Sequence, residues 1–108
     1  MDINKVKLKI FPYTKKINNL KYDEEGLWSI THPDDAKYIS IIIKQELEKN
    51  DITQNISVLD ATAGLGGNLL SFAKFFDKAT GIEIDTIRFN MLKNNMSCYD
   101  INNVTLIN

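Results

Sequence analysis

The fold is decided by a nine-residue stretch, Asp60-Ala61-Thr62-Ala63-Gly64-Leu65-Gly66-Gly67-Asn68. This glycine loop (residues 60–68) follows a short apolar run, residues 56–60, and leads into an apolar helical pattern that continues to Phe76. Glycine tolerates positive φ and lets a ligand approach bare backbone, so a glycine-rich turn between strand and helix is typical of ligand-binding α/β proteins. We therefore predict a ligand-binding loop at the carboxyl end of a parallel strand.

A second predicted strand, residues 79–84, carries an acidic residue, Glu83, near its end. Glu83 lies 23 residues after Asp60, which is close to the spacing of about 20 residues at which an acid binds a ribose diol in nucleotide-binding folds. Another helical pattern begins at Asp85, and residues 104–107 read as a last strand. Alternating strands and helices predict an α/β fold in which helices flank a parallel sheet.

Three classes of ligand use loops of this kind. A phosphate-binding P-loop needs Gly-Lys-Ser or Gly-Lys-Thr at its end, whereas this loop ends in Gly67-Asn68 and is followed by Leu69. A dinucleotide site favours a third glycine at the position that Leu69 occupies. S-adenosylmethionine has no pyrophosphate and carries a positively charged end, which an acid such as Asp60 can contact. The residues favour S-adenosylmethionine among the three ligands.

Three segments together carry a family resemblance. They are Asp23-Glu24-Glu25-Gly26-Leu27-Trp28-Ser29-Ile30-Thr31, the glycine loop with Gly81-Ile82-Glu83-Ile84-Asp85, and Asn94-Asn95-Met96-Ser97-Cys98-Tyr99. The pattern resembles class I S-adenosylmethionine-dependent methyltransferases and, among them, the trimethylguanosine synthases, which are RNA cap guanine-N2 methyltransferases. The resemblance covers residues 22–108 and implies a Rossmann-like class I methyltransferase fold that is incomplete at the C-terminus.

The resemblance also implies a set of residues that bind the cofactor S-adenosylmethionine. The set is Ser29, Thr31, Asp60, Ala61, Gly64, Gly66, Asn68, Glu83 and Asp85. Asp60 and the loop glycines are expected to hold the methionine part, and Glu83 the ribose. The catalytic residues stay unassigned, and no metal is expected. Three positions depart from the family's usual pattern: His32 stands between the threonine and the proline, Glu83 replaces an aspartate, and Thr86 replaces a proline.

The implied reaction is methyl transfer to capped RNA at the guanine N2 of the 5′ cap. The family's Pro-Pro-aromatic segment, which carries the target guanine, lies beyond the position equivalent to Asn108. We therefore expect this chain to supply the cofactor-binding half, to need a following segment or a second chain, and to be inactive alone. Two alternatives stay open: another class I methyltransferase acting on ribosomal RNA, DNA or protein, and a truncated, non-catalytic cofactor-binding or scaffold protein.

Charge divides the chain into a basic N-terminal arm, residues 1–21, and the cofactor-binding part, residues 22–108. The arm carries six lysines and one aspartate, a charge of +5, whereas the remainder carries −6. Residues 5–10 alternate lysine with apolar residues, which predicts an edge strand or a β-ribbon with Lys5, Lys7 and Lys9 on one face. A solvated arm is the simpler interpretation, and an arm that follows an RNA backbone is the alternative.

Length and composition set the remaining limits. The chain has 108 residues, of which 44% are hydrophobic, and this suits one globular domain and excludes disorder. The longest apolar run has three residues, far fewer than the roughly 18 that a membrane span needs. The single cysteine, Cys98, indicates a reducing, intracellular setting without separating nucleus from cytoplasm. Abundant lysine, asparagine and isoleucine indicate an AT-rich genome or a viral origin.

Individual residues outside the glycine loop also carry predictions. Residues 22–31 read as loop or extended structure, within which Trp28 is expected to be a core anchor; stacking on a nucleobase is the alternative. A helix is expected to start near Pro33 and end at Asn50, with His32 at its cap rather than on a metal. Cys98 is expected to be a packed thiol.

Overall fold

The structure is a computed structural model that describes the backbone from Ile3 to Asn108 and the side chains from Lys5 onward. Within it, three helices come first, and three strands then alternate with two further helices. The helices are α1 (Ile3–Ile10), α2 (Glu24–Ser29), α3 (Pro33–Lys49), α4 (Gly67–Phe75) and α5 (Thr86–Ser97). The strands are β1 (Ser57–Asp60), β2 (Lys78–Ile82) and β3 (Val104–Ile107), and a 3₁₀ turn covers Ile17–Asn19.

The three strands form one parallel sheet in the order β1-β2-β3. Each connection between neighbouring strands carries one helix, α4 and then α5, as parallel pairing requires. The α/β fold with a helix-flanked parallel sheet is therefore confirmed. β3 has the predicted bounds, whereas β1 and β2 are each one residue shorter than predicted, and β2 ends at Ile82.

The main core is formed by the sheet with helices α4 and α5. Leu69, Phe72 and Leu92 are buried there with Ala79 of β2. At Gly81 an added Cβ would lie 2.5 Å from a Leu69 methyl carbon, so a side chain at this position would displace Leu69 from its place between α4 and β2. α3 packs on α4, and the Ser40 and Ser71 hydroxyl oxygens are hydrogen-bonded at 2.6 Å. These contacts fix the position of the glycine loop at the carboxyl end of β1.

The prediction of an edge strand over residues 5–10 is wrong, because this segment is helix α1. Over six residues an alternating pattern also fits helical spacing, and burial decides between the two. Lys7 and Phe11, four residues apart, face inward; Phe11 packs with Leu20 in a second buried cluster. Lys7 is only 8% exposed and its Nζ lies 5.7 Å from the centroid of the Tyr22 ring. The lysines of α1 therefore do not share one solvated face.

The prediction of loop or extended structure over residues 22–31 is also wrong, because residues 24–29 form helix α2. Asp23 caps this helix: the Gly26 N–H donates to Asp23 Oδ1 at 2.8 Å. Glu24 and Glu25 follow in the first turn, where the helix dipole favours acids. Local capping chemistry thus stabilises a helix that is too short to show a hydrophobic period.

Two other expectations are confirmed. α3 starts at Pro33, and His32 is its cap, with His32 Nδ1 accepting from the Asp34 N–H at 3.2 Å. Cys98 is buried and packs against the cluster of Phe11 and Leu20. This cluster joins residues of the predicted arm to residues of the cofactor-binding part, and the boundary between the two stays a prediction. No helix among residues 3–108 is long and apolar enough to cross a membrane.

Candidate functional site

A cleft of about 300 Å³ opens at the carboxyl ends of β1 and β2. Its walls come from the glycine loop, the start of α4, the connection between α2 and α3, and the residues that follow β2. The lining residues are Ser29, Ile30, Thr31, Asp60, Thr62, Ala63, Gly64, Leu65, Gly67, Asn68, Glu83 and Arg88. The cleft is therefore built where parallel α/β folds bind their ligands.

Glycines shape the loop for different reasons. Gly64 and Gly66 have φ values of +57° and +104°, and residues other than glycine rarely adopt this backbone conformation. At Gly64 an added Cβ would meet nothing within 4 Å, whereas at Gly67 it would lie 2.7 Å from the Thr31 carbonyl oxygen. Gly67 thus lets the backbone of Thr31 press against the start of α4, and Gly64 leaves the cleft open.

Glu83 is buried at the end of β2 and joins two sides of the cleft. The Gly64 N–H donates to Glu83 Oε1 at 3.1 Å, and the Asp85 N–H donates to Oε2 at 2.9 Å. Each carboxylate oxygen has two lone pairs, so both oxygens keep the capacity to accept a second hydrogen bond. Glu83 therefore holds the glycine loop in place and still presents acceptors to the cleft.

Asp60 lies half-buried at the end of β1 and accepts from the Thr62 N–H at 3.2 Å. Burial raises the pKa of the Asp60 carboxyl above its ordinary value, and the charge of Glu83 adds to this; the Thr62 N–H opposes it. Two carboxylates at one end of a small cleft favour a ligand group that is positively charged.

Asn68 supplies an unsatisfied acceptor. Its Nδ2 donates to Thr31 Oγ1 at 2.9 Å, while its Oδ1 is buried and has no hydrogen-bond partner in the described part of the chain. Leaving a buried polar atom unpaired costs about 1–3 kcal/mol. The cleft therefore suits a ligand that brings a hydrogen-bond donor to Asn68 Oδ1. The first N–H groups of α4, which have no acceptor inside the helix, favour a negative group nearby.

Arg88 also lines the cleft, although it is not among the residues predicted from the sequence. Its Nη2 donates to Asp23 Oδ2 at 2.8 Å and to Glu25 Oε2 at 3.1 Å, and its Nε donates to Asp23 Oδ1 at 3.3 Å. The hydrogen bond from Arg88 lowers the pKa of Asp23, although burial opposes the shift. Arg88 thus connects α5 to the start of α2 by side-chain hydrogen bonds. In the sequence, this contact is indicated only by the single arginine of the chain and by the acidic run more than sixty residues before it.

A buried amide, Asn95 on α5, was also missed as part of the site's framework. Its Oδ1 accepts from the Lys21 N–H at 2.7 Å, and its Nδ2 donates to the Lys21 carbonyl at 2.8 Å and to the Leu65 carbonyl at 3.3 Å. Asn95 therefore ties the glycine loop to the segment that precedes α2.

Six of the nine predicted cofactor residues line the cleft and three do not. Those in the lining are Ser29, Thr31, Asp60, Gly64, Asn68 and Glu83. Ala61 is exposed on the loop, and Gly66 is the N-cap of α4. Asp85 caps α5 by accepting from the Arg88 N–H at 2.8 Å, and its own N–H holds Glu83. Asp85 thus supports the cleft indirectly.

The expectation that Trp28 anchors the core is wrong, because its side chain is 84% exposed. The neighbouring Leu27 and Ile30 pack on the second buried cluster instead. A helix of six residues can turn only part of its surface inward, and α2 buries the sides that flank Trp28. The indole therefore projects into solvent one residue before Ser29 of the cleft.

Comparison with known proteins gives the following matches. Residues 55–108 match the family model of RNA cap guanine-N2 methyltransferases. A protein of Acanthamoeba polyphaga mimivirus, described as uncharacterised, is 31% identical over 126 residues, which covers 99% of this chain and 49% of that protein. The trimethylguanosine synthase of Schizosaccharomyces pombe is 32% identical over 99 residues, covering 81% of this chain and 38% of that enzyme. The chain thus spans half or less of the length of these relatives.

Proposed function

The chain belongs to the RNA cap guanine-N2 methyltransferase family, and on that premise we propose that it binds S-adenosylmethionine in the cleft. It would supply the cofactor-binding part of an enzyme that methylates guanine N2 of an RNA 5′ cap. One observation carries the proposal: Asn68 Oδ1 is buried and has no hydrogen-bond partner among the described residues, in a cleft that also holds the half-buried carboxylate of Asp60. An acceptor and an acid placed together suit an ammonium group.

The residues of the cleft fit the separate parts of this cofactor. Asn68 Oδ1 and Asp60 would receive the amino group of the methionine part, and the first N–H groups of α4 would favour its carboxylate. Glu83 would accept the ribose hydroxyls with its remaining lone pairs. Ile84, directly after Glu83, is 91% exposed and offers an apolar surface for the base. The bound cofactor would supply an electrophilic methyl group, which these residues would orient.

Ser29 and Thr31 would close the cleft on the side of α2. The Ser29 hydroxyl donates to the Glu25 carbonyl at 3.0 Å, and Thr31 Oγ1 accepts from Asn68. Thr31 therefore orients the amide whose other end stays unpaired. This arrangement supports a role for the α2–α3 connection in positioning Asn68 toward the cofactor.

Capped RNA is the proposed methyl acceptor, and the family match favours it over ribosomal RNA, DNA or protein. Trp28 supports this assignment, because an exposed indole beside the cleft can stack on a nucleobase. β1 is an edge strand of the sheet that the described residues form, and Leu59 on it is exposed. These two features support a second proposal, that a further segment or a second chain extends the sheet. The mimivirus relative supports a viral origin.

The proposal is tested by calorimetry with S-adenosylhomocysteine and the variant Asn68→Ala. Loss of a hydrogen bond to a charged group costs about 1.5–3 kcal/mol, so affinity should fall about tenfold to a hundredfold. The variant also loses the hydrogen bond from Asn68 Nδ2 to Thr31 Oγ1, so the thermal unfolding of the free variant is measured beside its binding. Gln45→Ala, an exposed amide on α3, is the control and should bind like the parent. Equal affinity in all three proteins would refute the assignment of Asn68.

A further inference from the structure

A second concavity, the lysine groove, runs along α4 and has a volume of about 970 Å³. α3 forms one side, and residues 12–13 with residues 99–103 form the other. Its buried lining is small or apolar, with Ala36, Gly67, Leu70 and Ala73. Its exposed lining includes three lysines, Lys37, Lys44 and Lys74. The groove therefore has small or apolar residues at its base and charged residues at its exposed rim.

The charge of the groove is opposite in sign to that of the whole chain, which is −1. Three lysines line it against two acids, Asp34 and Asp100. None of the three lysines forms an ion pair within residues 5–108. Asp34 lies in the first turn of α3, where the helix dipole offsets its charge. Ammonium groups without acidic partners are available to a polyanion.

An aromatic ring stands beside these lysines. Tyr13 is 75% exposed and lines the groove. The residues on both sides of it are fixed, because Tyr99 donates its hydroxyl to the Pro12 carbonyl at 2.7 Å and Thr14 Oγ1 donates to the Cys98 carbonyl at 2.6 Å. The Tyr13 ring is thus presented from an anchored backbone, which is the arrangement of a stacking platform for a base.

The groove meets the cleft at the start of α4, because Gly67 lines both. α4 has nine residues and is therefore about 13 Å long. The groove therefore extends from the edge of the cleft along α4.

We propose that the lysine groove binds the sugar-phosphate backbone of the single-stranded RNA whose end is methylated at the cleft. This inference rests on the proposed function. Phosphates contact Lys37, Lys44 and Lys74, and a base stacks on Tyr13. Lysine meets phosphate as a point charge and reads no base edge, so binding is independent of sequence and falls as salt rises.

The test measures the binding of a fluorescent, uncapped single-stranded RNA by anisotropy at several salt concentrations. The groove variant is Lys37→Ala/Lys44→Ala/Lys74→Ala. The control variant, Lys49→Ala/Lys78→Ala/Lys93→Ala, removes three exposed lysines that do not line the groove. Both variants have the same net charge. Each phosphate contact on a single strand contributes about 0.7 to the slope of log affinity against log salt. The slope should fall by about 2 in the groove variant and stay near that of the parent in the control.

The outcomes separate this inference from the proposed function. If both variants lose the same slope, the groove makes no specific contribution and the inference is overturned. Polyglutamate and unlabelled RNA of matched charge are also compared as competitors. If polyglutamate displaces the fluorescent RNA equally well, the groove is assigned to an acidic protein and the inference is overturned. S-adenosylhomocysteine binding should be unchanged in the groove variant. Failure of the parent chain to bind that ligand would instead overturn the proposed function.

Discussion

At the scale of single residues, the charged Asp60 side chain lowers the stability of the free protein but favours binding of a cationic ligand. Its carboxylate is half-buried near the charge of Glu83, and burial raises its pKa. The raised pKa means that the folded state binds a proton more readily than the unfolded chain does. The charged form of Asp60 therefore destabilises the free protein above the ordinary pKa of an aspartate. A cationic ligand would relieve this cost on binding.

We predict that Asp60→Asn raises the free energy of unfolding at pH 7 and weakens cofactor binding in the same protein. The asparagine oxygen can still accept from the Thr62 N–H. The gain in stability should shrink as pH falls through the raised pKa and vanish below the ordinary aspartate pKa, where the parent is protonated in both states. Thermal unfolding at pH 7 and pH 3 measures this, with the exposed Asp100→Asn as control. A variant less stable than the parent at pH 7 would contradict the prediction.

At the scale of elements, helix α2 depends on contacts outside itself. It has six residues, and helices this short are not stable in isolation. Asp23 supplies the N-cap, and Arg88 holds Asp23 and Glu25 from α5. The Arg88 and Asp23 side chains are mostly shielded from solvent, so this ion pair is screened less than a surface pair. The ion pairs of Arg88 with Asp23 and Glu25 therefore keep Ser29 and Thr31 at the cleft.

Arg88→Ala should therefore open α2 without unfolding α4. Hydrogen bonds to charged groups contribute about 1.5–3 kcal/mol, which corresponds to roughly tenfold to hundredfold faster exchange of the α2 amides. Hydrogen exchange at Leu27 and Ile30, whose N–H groups bond within α2, measures the effect. Lys93→Ala removes an exposed cation from the same helix and is the matched control. Unchanged exchange in α2 would show that the apolar contacts of Leu27 and Ile30 suffice.

At the scale of the whole molecule, the N-terminal region supports the glycine loop. Phe11 and Leu20 are buried with Leu65 of the loop, and Asn95 bonds to both Lys21 and Leu65. Deleting residues 1–21 would expose Leu65 and remove a partner of Asn95. Such a deletion would change the cleft as well as the charge, so it cannot separate RNA binding from folding. Lysine substitutions make that separation.

Phe11→Ala is expected to lower the free energy of unfolding by about 3–5 kcal/mol, the usual cost of removing a buried phenylalanine ring. The loss should also weaken cofactor binding, because Leu65 beside the cleft loses its packing partner. Chemical denaturation and calorimetry give the two quantities. Tyr38→Ala removes an exposed aromatic ring from α3 and should change neither. A small loss of stability in Phe11→Ala would mean that the second cluster contributes little to the fold.

The sequence alone determined the parallel β-α-β arrangement around the glycine loop, because strand runs, helical spacing and glycine turns are local properties. It also identified six of the residues that line the cleft, since Asp60 and Glu83 stand at predictable strand ends. Only the tertiary structure decided that residues 5–10 are helix and that Lys7 is buried. A short alternating segment can form either a strand or a helix, and its packing against the rest of the protein decides between them.

Tertiary structure also decided the surroundings of single side chains. Trp28 is exposed because the neighbouring Leu27 and Ile30 pack on the second buried cluster instead. Arg88 reaches Asp23 across 65 residues of chain, and Glu83 accepts from the loop as well as from Asp85. A side chain's partners depend on which distant segments meet it in space, and spacing along the chain does not contain that information.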